Sequence, residues 1–350
     1  MISYITGKMI KPFLFVTSLV LGMLITCPWA FAEKKHKEMK LIMATNIPPS
    51  LKHIYKGQKT FVDMVNKRGK GVVQINMYWS GSLLKGKQLL PGLQAGTVDM
   101  IWLSSAYVAS TSPILGLHAL PLWKSIEDSY EDLKIGSDLA RLQNEELKKK
   151  NLMQVLTGGV LPEYIYTRKR HIKTVKDMKG LKLRVVGKVD AKIVQALGGF
   201  PVSIPAGEHS QALQRGVVDG SLVTPWATEG RGLAEHCKYL MIYPIANVNV
   251  SMFVLHNRWE GLPEDVKKIL MNCAIESERL FIGPAGAASN DAQLNDALLP
   301  LCKEKGMTAT YLTTENASEF DKAVQKVIDW WIKEVGVEVG KKALGYIKSR

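Results

Sequence analysis

Cysteine and histidine are scarce in this 350-residue chain: it holds four of the first and seven of the second. Four cysteines are too few for a scaffold framed by disulfides, and their spacing is not that of a zinc site. The histidines, at 36, 53, 118, 171, 209, 236 and 256, lie far apart in unrelated contexts. No metal and no cofactor is expected. Catalytic signatures are missing as well: no G-x-S-x-G elbow, P-loop, H-E-x-x-H or G-x-G-x-x-G occurs. Glu208 reads as a carboxylate opening a helix, and Asp219-Gly220 as a turn, rather than as acid–base machinery. An enzyme is the weaker reading. Apolar runs are short too. The longest covers residues 13–25, less than the roughly 20 residues needed to span hydrocarbon.

That run belongs to a leader. Lys8 and Lys11 precede it and Ala30-Phe31-Ala32 follows, which is the pattern of an export signal cleaved after Ala32. Thr26 before Cys27 argues against a lipoprotein anchor. Export places the mature chain in the periplasm, with three cysteines, Cys237, Cys273 and Cys302. Whether Cys273 and Cys302 pair is left open by the sequence.

The chain is basic, with 46 Lys and Arg against 32 Asp and Glu and a formal charge of +14. Removing the leader lowers this to about +12. The positive residues are scattered and lack a basic-aromatic motif, so nucleic acid is not the expected partner. Small anions and the anionic face of a membrane are the partners such a charge suits.

Periodicity then alternates between strand and helix. Strands are predicted at 40–45, 72–79, 98–103, 151–157 and 181–186, in the short apolar segment 201–205, opening at 217–219, and again at 240–243 and 248–255, while 164–168 begins a second lobe. Helices are predicted at 53–68, 86–94, 125–150, 191–197, 208–214, 229–236 and 262–288, the last kinked at Gly283-Pro284 and Gly286 and resuming to Lys305. An amphipathic tail helix spans 316–336. Alternation of this kind makes an α/β fold with parallel strands, whose ligands lie at the carboxyl ends of the strands. Several polar residues fall at such ends. Asn46 follows the first strand, Ser104 and Tyr107 follow the third, and Arg184 sits near the end of the strand at 181–186. Each has an ordinary structural reading: a helix cap for Ser104, a surface aromatic for Tyr107, a solvated or ion-paired side chain for Arg184.

The stretch 178–225 tips the balance. KGLKLRV, then LGG-P-V, then ALQ-x-GVVDG and the pair Pro225-Trp226 resemble the solute-binding component of tripartite ATP-independent periplasmic (TRAP) transporters. YWSGSL at 78–83, LQAGTVDM at 93–100, ALPLW at 119–123 and LPEDVKKIL from Leu262 agree in order. The resemblance implies a two-lobed, class II-like periplasmic-binding-protein fold with a cleft between the lobes and a long bent helix linking them. Lobe I would hold 33–161 and about 250–288; lobe II would hold 162–249 and about 289–350.

It further implies that Arg184 forks onto a solute carboxylate and that Ser104, Tyr107, Trp226, Asn249 and Ser251 line the cleft. Tyr164 stands where some members carry an arginine, and would supply an aromatic wall instead. The family's frequent Asn after the D-G pair has no match, since Val223 and Thr224 occupy that region. This speaks against a solute as rich in polar groups as sialic acid, and the aromatic candidates Trp102 and Phe253 point the same way. The implied partners are a small organic acid anion and the small and large membrane subunits of a TRAP permease, with the protein only peripheral to the inner membrane. A ligand-sensing subunit for a receptor kinase is the alternative that the same fold would serve.

Overall fold

A computed structural model describes residues 37–282 and 292–347. The leader and the predicted kink at Gly283-Pro284 and Gly286 lie outside the described residues. Among those described, no helix is long and apolar enough to cross a membrane.

The architecture is mixed α/β, built on ten strands in the order β2-β1-β3-β9-β5-β8-β6-β7, with β4 and β10 each added to β9. The strands are β1 (Met39–Thr45), β2 (Val73–Tyr78), β3 (Met100–Ser104), β4 (Leu152–Leu156) and β5 (Val160–Thr167). They continue with β6 (Lys182–Val185), β7 (Phe200–Ser203), β8 (Gly220–Val223), β9 (Tyr239–Leu255) and β10 (Thr308–Tyr311). β1 runs parallel to β2 and β3, and β6 parallel to β7 and β8. The two parallel sets are joined through β9. Its last residues pair antiparallel with β3 and β4, and its earlier ones with β5.

β9 corrects one expectation. Two strands were predicted, at 240–243 and 248–255; a single 17-residue strand runs through both. Pro244 has no N–H to give a ladder, and it falls where the β5–β9 register slips, between Glu163 and Ile165. A bulge absorbs the proline and pairing resumes at Glu163 with Ala246.

The predicted helix at 125–150 is likewise two helices, Ile126–Leu133 and Asp138–Lys148. Gly136 takes φ +84 between them, a backbone state that suits glycine. Ser137 then restarts the chain, its side chain accepting from the Ala140 N–H at 3.1 Å. Phe200–Ser203 forms the strand expected at about 201–205, while β10 and the final helix Val337–Gly345 carried no predicted label.

Burial follows the periodicity. Leu41, Met43, Phe61, Val65, Trp102 and Leu270 pack one core around β1. Tyr164, Tyr166, Leu213, Leu240 and Leu298 pack a second around β5 and β8. The largest cluster, with Leu103, Leu117, Leu183, Ile193, Phe320 and Trp331, spans elements of both sets. The tail helix Thr314–Val335 takes part in it, and its Trp331 indole N–H donates to the Pro113 carbonyl at 2.9 Å. The three cysteines are free and buried; Cys273 and Cys302 sit in different cores.

Candidate functional site

The carboxyl ends of β1, β3, β6 and β8 converge, and a cavity of about 60 Å³ lies where they meet. Asn46, Ser104, Tyr107 and Arg184 all line it, together with Glu163, Thr224 and Arg231. Ile47, Leu161, Val186, Val223, Val248 and Val250 supply apolar walls. One water needs roughly 10–15 Å³ on this measure, and a cavity of roughly 150 Å³ admits benzene. A solute of a few heavy atoms is the scale that fits.

Arg184 is the central group. It is 2% exposed. Its Nε donates to the Ile204 carbonyl at 3.0 Å, and its Nη2 has no acceptor among the described residues. Burial lowers its pKa, while Tyr107, Glu163 and Asp190 raise it. A guanidinium keeps its charge at any physiological pH, so the cavity holds a buried cation with a vacant donor. Arg231, half-buried, adds a second positive charge; burial first and the Arg184 charge second bring its pKa down to about 10.

Acidic groups answer in part. Asp190 accepts through Oδ2 from the N–H groups of Val186 at 3.3 Å and Gly187 at 3.0 Å. Glu163 is 6% exposed. Burial, and then the nearby Asp190 charge, push it up to about 8 against the pull of Arg184 and Arg231. His209 is buried with neither ring nitrogen partnered; burial and the two arginines hold it well below its usual range, as the neutral imidazole.

The cavity is closed from two sides. Tyr107, in the short helix Ser105–Val108 after β3, accepts from the Ala206 N–H at 3.2 Å. Gly187 meets the same helix, where a Cβ would stand 3.0 Å from that of Ala106. Only glycine lets the two backbones come this near. Ser104 caps that helix, its Oγ accepting from the Ala106 N–H at 3.3 Å, so it has both its structural role and its place on the rim.

Six expected cleft residues lie elsewhere. Tyr164 points into the second core, pushed up to about 12 by burial and then by Tyr311. Neighbours in a strand face opposite ways, and it is Glu163 that meets the cavity. Trp226 stacks on His53 with ring centroids 4.3 Å apart, beside a separate apolar cavity of about 30 Å³ that Trp102 also lines. Phe253 is core.

Asn249 and Ser251 join a buried polar network behind β3. Ser105 Oγ donates to Asn249 Oδ1 at 2.7 Å, and Gln154 Nε2 donates to Ser251 Oγ at 2.6 Å. His118, held down to about 3 by burial, contacts Ser105 at 3.1 Å and Gln143 at 2.8 Å. The network fixes the β3 exit without reaching the cavity.

The 30 Å³ cavity and a wider open depression of about 410 Å³ near Asn144 and His256 compete as sites. Neither holds a buried guanidinium, so neither offers a carboxylate what the β1–β3–β6–β8 cavity does.

A sheet crossed by one long shared strand, with a buried guanidinium lining a cavity at the converging strand ends, is a plan suited to holding a small anion. The match is specific. Residues 43–334 fit the family DctP, "Bacterial extracellular solute-binding protein, family 7", and the chain belongs to this family, the solute-binding proteins of TRAP transporters.

It is 28% identical over 303 residues to a monocarboxylate 2-oxoacid-binding periplasmic protein of Nostoc, covering 83% of this chain and 82% of that one. It is 26% identical over 292 residues to the C4-dicarboxylate-binding periplasmic protein DctP of Rhodobacter capsulatus, covering 81% and 84%. In structure it is similar to a TRAP periplasmic solute-binding protein of Shewanella oneidensis with bound succinate, at TM-score 0.77, 18% identity and coverage of 89% and 100%. Another, from Ralstonia eutropha H16 with bound (S)-2-acetolactate, gives 0.76, 21%, 89% and 99%. These neighbours share the two-lobed fold.

Proposed function

We propose that this protein captures a small organic acid anion in the periplasm and hands it to the membrane subunits of a TRAP permease. The observation that carries this is Arg184: a buried guanidinium whose Nη2 lacks an acceptor, at the edge of a cavity sized for a few heavy atoms. A carboxylate is the ligand that fills such a fork with two charge-assisted hydrogen bonds. Ser104, Tyr107 and Asn46 offer further polar contacts around it, and Arg231 a second positive charge. Relatives named for a monocarboxylate 2-oxoacid and for C4-dicarboxylates support the solute class.

Lobe I on the β1–β3 side and lobe II on the β5–β8 side would hinge about β9, with the solute between them. Closure follows from the solute's greater affinity for the closed form, since only a difference between states shifts a population. Export by the predicted leader, with cleavage after Ala32, brings the protein to the compartment; N-terminal sequencing of the mature chain checks this. A mature charge of about +12 favours approach to the anionic inner membrane.

A thermal-shift screen against small carboxylic acids, followed by calorimetry on refolded ligand-free protein, tests the reading. A true ligand at a thousandfold excess over its Kd stabilises by about 4 kcal/mol. If no carboxylic acid shifts the melting temperature of the refolded protein, the proposal is wrong.

A further inference from the structure

Glu163 is the group in the cavity that the organic-acid reading has not yet used. It sits in β5 at the residue where the register on β9 slips, and a bulge there turns the strand's side chains relative to their neighbours. It lines the cavity with Arg184 and Arg231. Yet among the described residues no ion pair joins it to either guanidinium, and no hydrogen bond engages its side chain. A nearly buried carboxyl between two arginines that bridges to neither is not serving as a structural salt bridge. It faces the space that the solute takes.

Resting on that reading, we infer that Glu163 is a solute-binding, specificity-determining residue: it donates its carboxyl O–H to a keto or hydroxyl oxygen next to the carboxylate held by Arg184, and thereby selects 2-oxo or 2-hydroxy monocarboxylates over dicarboxylates.

The charges acting on Glu163 support this. Arg184 comes from β6 and Arg231 from the residue after the helix Pro225–Gly230; Asp190 comes from the helix Lys188–Ala196. His209 faces them as a neutral ring, and Tyr107 contributes a hydroxyl. With its proton on, Glu163 leaves two guanidinium charges against the one carboxylate of Asp190. A single solute carboxylate balances the remainder. A second would be buried without a partner, which is the costly case. Burial and Asp190 push the Glu163 pKa up to about 8, so the proton is in place at neutral pH. An acid in this form is a donor, and a 2-oxo or 2-hydroxy oxygen is an acceptor beside the carboxylate.

Capture then depends on pH with a defined sign. A bound carboxylate adds negative charge beside Glu163 and raises its pKa further. Affinity is therefore full below the pKa of the empty site and falls as pH rises through about 8, by up to about tenfold per unit.

The test is calorimetry of pyruvate, propanoate and succinate with the wild-type protein, E163Q and E163L, between about pH 6.5 and 9. The wild type should hold pyruvate at least about tenfold tighter than propanoate and about a hundredfold tighter than succinate, one and two decades of affinity. Its pyruvate affinity should fall above pH 8. Glu163→Gln keeps a donor but cannot ionise, so it should stay near the wild type at pH 7 and lose the fall. Glu163→Leu should bind pyruvate and propanoate alike. An E163Q variant that keeps the wild-type pH fall overturns the inference alone, as does succinate binding as tightly as pyruvate. No binding of any acid by the wild type overturns the organic-acid reading and this inference together.

Discussion

Tyr107 and Ala206 meet across the cavity: the phenol oxygen accepts the backbone N–H at 3.2 Å, tying the exit of β3 to the segment after β7. This bond exists only when the two sides stand this close, so on the proposed hinged capture it would belong to the closed form. Tyr107→Phe removes it and leaves the ring. One net hydrogen bond is worth about 0.5–1.5 kcal/mol, so solute affinity should drop about three- to tenfold. Stopped-flow measurement should place the loss in the dissociation rate, with melting of the ligand-free protein little changed.

Arg184→Ala should cost about 2–5 kcal/mol of binding, as truncating one partner of a buried charge pair does. Arg184→Lys keeps the charge and loses the fork, so it should recover only part. The ligand-free protein should respond oppositely. Its Nη2 is buried without a partner, a cost that an apolar residue of similar length does not carry. Arg184→Met should therefore raise the melting temperature of the empty protein while abolishing tight binding. Equal affinity in Arg184→Ala and wild type would remove this residue from the site.

Arg184 was legible in the sequence because two signals met on it: a strand exit by periodicity and the K-x-R motif of a known family. Asn46, Ser104 and Tyr107 were found by the same rule of strand ends. Glu163 was not, because no strand was predicted over Val160–Thr167, so the residue was never assigned to a face. Arg231 follows a short helix and a glycine, a context with no periodic signal, and only the fold brings it beside Arg184. Asn249 and Ser251 were expected to line the cleft; they lie in the crossing strand β9 but turn to partners, Ser105 and Gln154, that are remote in sequence. A hydrogen-bonded network formed by tertiary contact leaves no local pattern. The merging of two predicted strands into β9 has the same origin: Pro244 argues for a break locally, and the bulge that accommodates it depends on β5.

Gly187 marks where backbone from the β6 side meets the helix after β3. Its φ of −109° is open to any residue, so a side chain there adds no backbone strain, only bulk. A Cβ alone would lie 3.0 Å from the Ala106 Cβ and 3.2 Å from its carbonyl oxygen. Gly187→Val should hold the two sides apart, weakening binding at least about tenfold, the effect of roughly 1.4 kcal/mol. Small-angle scattering should show the variant failing to contract when solute is added. A contraction equal to the wild type's would show that this approach does not limit closure.

Glu278 offers a test of stability away from the cavity. It is 3% exposed in the helix Glu264–Ile282; Oε2 accepts the Ile135 N–H at 2.9 Å and Oε1 has no partner. Burial pushes it up to about 8, with that N–H and Lys134 pulling the other way. The folded pKa lies above the unfolded one, near 4.5, so the unfolded chain releases this proton first as pH rises. The stability contributed by the protonated carboxyl is thus complete below pH 4.5 and is lost progressively up to about 8. Glu278→Gln keeps an acceptor for Ile135 and has no proton to lose. At pH 8 it should be more stable than the wild type by about 2 kcal/mol or more, and near pH 4.5 the two should be close. Urea unfolding at both pH values decides; a variant equally or less stable at pH 8 would mean that Glu278 stays ionised in the folded protein.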